Sequence, residues 1–157
     1  MDKEARRVGM VLEKYNIRDT KRFFSRVNRK AQEGVEVITY DGLRPAQSEV
    51  SHIKTEVLDK VFSIFQFHPE WTFDKELSTW TVSLRELPVY GEGRTKKEAV
   101  QDLVDSLLEY VEIYYKDLHW FLGREETSSY FPYLRQVARC DGDREKIARL
   151  VGLSDAD

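Results

Sequence analysis

Apolar positions along the chain recur in two rhythms, and the change of rhythm divides it. Between Asp19 and Gln32, Phe23, Phe24, Val27 and Ala31 cluster on one side of a helical wheel. Asp19 is a suitable N-cap and Gly34 a suitable C′ residue. Tyr15 to Arg18, just before, reads as a short strand. Val35 to Tyr40 is β-rich and runs into Asp41-Gly42, a strong hairpin signal. The return strand is expected from about Leu43 to Val50, at an edge, because it contains Pro45 and is polar. Thr55 can cap a further helix to about Phe67, with Val57, Leu58, Val61, Phe62 and Phe65 as its apolar stripe. His68-Pro69 stops it, since the residue before proline disfavours helix. A packed domain boundary is expected here.

Alternation then takes over. Trp71 and Phe73, followed by Trp80, Val82 and Leu84, predict two strands joined by a short turn. A third short strand, Val89 to Glu92, follows Pro88. Thr95-Lys96-Lys97-Glu98 is a capping box, in which threonine takes the N3 amide and Glu98 reaches back. Ala99, Val100, Leu103, Val104, Leu107, Leu108, Val111 and Leu118 carry this helix to about Leu122, before Gly123. At roughly 27 residues it would be about 40 Å long, so its far end, Tyr114 to Phe121, must pack on something other than a small sheet. Two short helices complete the chain, one from Arg135 to Cys140 and one capped by Asp143. The fold class is α+β. It combines a helix and β-hairpin head, a three-stranded antiparallel sheet with a long helix, and short C-terminal helices. The expected domains are residues 1–68 and 69–157.

Composition narrows the class. The chain has 157 residues, 41% of them apolar and 34% charged. That supports a packed core and excludes a mostly disordered or fibrous chain. No uncharged run approaches the roughly 18 residues a membrane helix needs, so no membrane partner is expected. Met1 to Arg7 is charged with no apolar stretch behind it, so no secretory signal is expected. Cys140 is the single cysteine and cannot form an internal disulfide, which makes a cytoplasmic location the default.

Charge is unevenly spread. Residues 1–34 carry ten bases and five acids, whereas residues 35–157 carry 15 bases and 23 acids. A basic head on an acidic body fits an anion-binding head. On the first helix Arg22, Arg26 and Arg29, with Lys30, lie roughly opposite the apolar side. Spaced four and three apart, the arginines form a row able to neutralise phosphates.

Catalytic chemistry has little support. His52, His68 and His119 lie far apart with no second ligand at metal spacing. Cys140 has no nearby base in sequence. No phosphate loop, dinucleotide fingerprint, nucleophile elbow or H-E-x-x-H motif is present. Gly91-Glu92-Gly93 is a lone G-x-G that supplies turn conformations. Asp102, Asp105, Glu109 and Glu112 fall on the solvated face of the long helix. A metal-dependent nuclease would have to draw on Asp74, Glu86 and Glu92. No cofactor, metal or catalytic residue is expected.

Two segments resemble known modules. Tyr15 to Val50 resembles the DNA-binding head of Phd/YefM-like antitoxins. It carries Glu33-Gly34-Val35-Glu36-Val37 entering a hairpin and Gly42-Leu43-Arg44-Pro45-Ala46 on the return. Trp71 to Tyr115 resembles the HicB-type antitoxin module, a partial RNase H-like β-β-β-α fold. Its marks are Arg85-Glu86-Leu87-Pro88 and Gly91-Glu92-Gly93-Arg94-Thr95-Lys96-Lys97-Glu98-Ala99. The arrangement is similar to Phd-like antitoxins of RelE/RelB-type toxin–antitoxin systems. The resemblance implies a bacterial type II antitoxin with no enzymatic activity. It would neutralise a small RelE-like ribonuclease toxin by direct binding, act as a transcription repressor on operator DNA, and form a homodimer. DNA binding would use Lys14, Arg18, Arg22, Arg26, Arg29 and Lys30, with Lys14 to Arg18 nearest the base edges. Toxin contact would fall to the HicB-like module or the final helices. The alternative is an orphan DNA-binding or protein-interaction regulator without a toxin.

Overall fold

The computed structural model describes residues 12–43 and 49–155. The bases of Met1 to Arg7, and Arg44 to Ser48 of the expected return strand, lie outside them. The chain divides into two compact units, Met1–Val61 and Phe62–Asp157.

In the first unit β1 (Glu13–Asn16) leads directly into α1 (Ile17–Gln32), then β2 (Val37–Tyr40), β3 (Val50–His52) and α2 (Thr55–Phe62). β1 pairs parallel to β2, from Glu13↔Val37 to Asn16↔Tyr40. Parallel neighbours need a crossover, and α1 is that crossover. β3 pairs antiparallel to the other side of β2. Val27, Tyr15 and Val37 form the buried centre.

Several local expectations shift here. The cap of α1 is Asn16, not Asp19; its side-chain oxygen accepts the Arg18 N–H at 3.1 Å. Gly34 closes the helix at φ +88°, its N–H donating to the Ala31 carbonyl at 3.0 Å. Asp41-Gly42 does not make a tight hairpin, because β3 begins only at Val50. The Asp41 carboxylate instead accepts the Leu43 N–H at 3.0 Å, an Asx turn that opens a longer connection. α2 stops at Phe62, short of Phe67. Beyond it, Phe65 and Phe67 set their rings against Tyr133 at centroid distances of 5.7 and 5.3 Å.

In the second unit β4 (Pro69–Asp74), β5 (Thr79–Leu84) and β6 (Tyr90–Gly93) form an antiparallel sheet in that order. Asp74 shapes the first turn by accepting the N–H groups of Glu76 and Leu77 at 2.8 and 3.0 Å. α3 (Lys96–Lys116) covers one sheet face. Its capping box is present: Thr95 accepts the Glu98 N–H at 3.1 Å, and Glu98 accepts the Thr95 N–H at 3.2 Å. The helix lies so close to β6 that a Cβ on Gly91 would stand 2.2 Å from the Ala99 carbonyl oxygen.

The long helix does not run unbroken to Leu122. It breaks at Asp117 (φ −117°, ψ 35°) and resumes as α4 (Leu118–Leu122). The break lets Phe121 stack on buried Tyr114 at 4.7 Å, whose hydroxyl donates to the Thr127 carbonyl at 3.0 Å. That buried pair is what the far end packs on. Next come α5 (Glu125–Ser128), which the apolar pattern does not reveal, α6 (Phe131–Ala138) and α7 (Arg144–Leu150). α6 starts four residues before Arg135, with Pro132 in its first turn, where a missing N–H is harmless. Asp143 caps α7 by accepting the Lys146 N–H at 3.1 Å. Leu103, Leu107, Leu134 and Ile147 are fully buried between these layers. Among the described residues, no helix is long and apolar enough to cross a membrane.

Candidate nucleic-acid interface

The basic side of α1 is the most distinct charged feature of the first unit. Arg18, Arg22, Arg26 and Arg29 are exposed. Arg18 and Arg22 lie on the turn before Phe23, and Arg26 and Arg29 lie on the turns after it, each pair about one helical turn apart. Among the described residues, none of the four forms a salt bridge. Half-buried Phe23 organises the middle of the row. The Arg22 and Arg26 guanidinium carbons lie 5.8 and 5.6 Å from its ring centroid, within cation–π range.

Phe23 is also where the helix is kinked, at φ −126° and ψ 21°. The kink changes what the aromatics do. Val27 and Ala31, after it, are buried. Phe24 is 59% exposed, so the expected aromatic anchor on the core is not made by this residue. With Ile17, Val50 and His52 it lines an apolar groove of about 550 Å³. Ile17 and Val50 are themselves 41% and 51% exposed. Under the groove, the buried Thr39 hydroxyl lies 3.1 Å from His52 Nε2.

The remaining two expected DNA contacts are held by carboxylates. Lys14 Nζ pairs with Glu49 at 2.6 Å. Lys30 pairs with Glu13, which also accepts the Tyr15 hydroxyl. The hydrogen bond to Glu13 raises the Lys30 ammonium above its ordinary value. Burial, helped by Glu13, raises the Tyr15 phenol. This cluster ties α1 to β1. The exposed stripe therefore consists of Arg18, Arg22, Arg26 and Arg29. Lys21, which sequence reasoning left out, lines the groove.

The carboxylates that a nuclease would need serve local structure. Asp74 holds a turn. Glu86 accepts the His68 N–H at 3.1 Å and lies 2.6 Å from His68 Nδ1. Glu92 lies 3.5 Å from the Thr81 hydroxyl. Among the described residues, no three His, Cys, Asp or Glu side chains are grouped to hold a metal ion. Cys140 is half-buried, its thiol 3.5 Å from the Gln136 carbonyl, and burial pushes its pKa up.

Residues 10–152 match the family described as PHD_like, antitoxin of toxin–antitoxin, RelE/RelB, TA system. The chain belongs to that family. It is an antitoxin of a toxin–antitoxin system. No curated protein matches the sequence. Among solved structures, the chain resembles a protein from Syntrophomonas wolfei subsp. wolfei, crystallised as the antitoxin part of a proposed toxin/antitoxin system. The TM-score is 0.69 at 16% identity, over 85% of this chain and 94% of that one. At that identity the likeness speaks for the antitoxin's fold.

Proposed function

We propose that this antitoxin neutralises a small RelE-like toxin by direct binding and represses its own operon by binding operator DNA through α1. The observation that carries the DNA half is the stripe of four exposed arginines that form no salt bridge among the described residues. Paired cations are already neutralised; these are available to phosphates. The βαβ start of the first unit, entered through Glu33-Gly34, supports the Phd-like reading of the head. The β4–β5–β6 meander with its capped α3 supports the HicB-like reading of the second unit. The groove of Ile17, Phe24 and Val50 supports a homodimer, since exposed apolar side chains gathered around one groove mark an interaction site. The lone cysteine supports a cytoplasmic setting. No catalytic role is proposed.

Co-expression tests the reading. The open reading frame adjacent to this one should arrest growth when expressed alone and not when expressed with this chain. The purified complex should shift a DNA fragment carrying the operon's promoter. Toxicity without rescue refutes the neutralising half. Absence of a shift at low salt refutes the repressing half and leaves an interaction protein.

A further inference from the structure

Among the described residues β4 has a strand on one side only, and the geometry of its outer edge says what it would accept. The Arg85 N–H donates to the His68 carbonyl at 3.2 Å, so positions 68 and 85 form a hydrogen-bonded pair. Antiparallel ladders alternate between hydrogen-bonded and non-hydrogen-bonded pairs. Glu70↔Ser83, Thr72↔Thr81 and Asp74↔Thr79 are therefore the hydrogen-bonded pairs of the β4–β5 register. Trp71 and Phe73 then direct their N–H and C=O groups away from β5, to the free edge. Pro69 falls in the same outward set, and it is the one residue type with no N–H to offer β5. Among the described residues no strand pairs with this edge.

Natural edges are commonly blunted by lysine, interior proline or a bulge. β4 is six residues long, with proline only at its start and no lysine. Its side chains are sorted by face. Trp71 packs towards the core, and the Phe73 ring lies tilted by 43° against Trp80 at 4.7 Å. On the opposite face Glu70, Thr72 and Asp74 stand beside Thr81 and Glu92. Arg85 is paired with Glu70 at 2.7 Å in an exposed bridge, the kind that exchanges readily. The second unit carries 18 acids against 12 bases. A second copy of this chain is disfavoured in one in-phase register. In the antiparallel register that sets Trp71 against Phe73, the acid at 70 meets the acid at 74, and like charges directly opposite are unfavourable.

We infer that β4 docks an extended segment of the toxin by strand addition. That segment alternates apolar residues, extending the Trp71–Phe73 row, with lysine or arginine facing Glu70 and Asp74. The mode is β-augmentation: main-chain hydrogen bonds supply affinity, and alternate side chains supply specificity. This rests on the toxin-neutralising reading above and names its surface.

The test uses the full chain and the purified product of the adjacent open reading frame. Phe73→Pro removes an outward N–H without touching the β4–β5 ladder and should lower affinity about tenfold or more. Phe73→Thr loses the same ring but keeps the N–H, so it should lose less affinity than Phe73→Pro, and the gap between the two variants should be about tenfold. Glu70→Lys with Thr72→Lys should slow association and reduce its salt dependence. In the complex, amide exchange should slow at Trp71 and Phe73. Equal binding by Phe73→Pro and Phe73→Thr, with those amides unprotected, overturns the edge proposal while leaving neutralisation intact. A parent chain that does not hold the product overturns both. Concentration-dependent self-association lost in the double lysine variant would assign the edge to a second copy instead.

Discussion

Replacing Arg22, Arg26 and Arg29 together with alanine separates a phosphate-binding helix from a merely solvated one. Their exposure, and the absence of salt bridges to them among the described residues, give the magnitude. Each phosphate contact releases about 0.9 of a counterion, so three contacts change the slope of log K against log salt by about 2.7. From about 50 to 200 mM salt, the parent should therefore lose about 40-fold more affinity than the triple variant. The loss should be nearly the same on promoter and on unrelated duplex, because phosphates carry no sequence. Fluorescence anisotropy across a salt series measures both quantities. Arg18→Ala alone should remove about 0.9 of slope. Lys14→Gln combined with Glu49→Gln deletes an internal pair at no net charge and should leave the slope unchanged. A triple variant that keeps the parent slope and affinity would refute the assignment of DNA binding to this helix.

Four further outcomes follow from the packing and the titrating groups. Gly91→Ala places a Cβ 2.2 Å from two backbone atoms, Ala99 O and Leu103 N. Neither can rotate away, so about 3 kcal/mol of stability should go, a fall of about 12 °C or more in the melting of the second unit. Gly34→Ala meets no atom within 4 Å. Its penalty is the left-handed backbone alone, about 1–2 kcal/mol, read by denaturant unfolding. Thr95→Ala should cost about 1 kcal/mol and Thr95→Ser far less, because the hydroxyl caps α3. Tyr15 and Lys30 hold their protons more tightly when folded than at their ordinary values of 10.0 and 10.5. The stability they contribute is complete below those values and is lost as pH rises through the folded ones. Melts above pH about 10 should fall, and less steeply in Tyr15→Phe, which has no proton to lose.

How much was legible in the residues differed between local and distant features. The basic row was legible from spacing, because positions four and three apart are neighbours on a helix surface, and the four arginines are exposed on both sides of the kink. The capping box at Thr95 and the Asp143 cap were equally local, each a side chain bonding an amide three residues on. The alternation of Trp71, Phe73, Trp80, Val82 and Leu84 was readable because one sheet face is buried. The unmatched features depended on atoms remote in the chain. Asp41-Gly42 carries a hairpin signal, yet its carboxylate satisfies Leu43 and the partner strand starts at Val50. The helix breaks at Asp117, and the residue that stacks on Tyr114 beyond the break is Phe121, seven positions on. Phe24 shares an ideal wheel sector with Val27 and Ala31, yet it follows the kink at Phe23 and is exposed.

By itself the sequence determined most element types, the caps at Thr95 and Asp143 and the presence of a basic helical face, because these follow from neighbours within about one helical turn or one strand pair. Tertiary structure decided which cations remain available. Lys14 and Lys30 match the arginines in charge, but Glu49 and Glu13 lie 35 and 17 residues away in the chain and are brought into contact only by folding. It also decided that the outward groups of β4 belong to Trp71 and Phe73. That alternation is set by pairing with β5, and no property of β4 alone contains it.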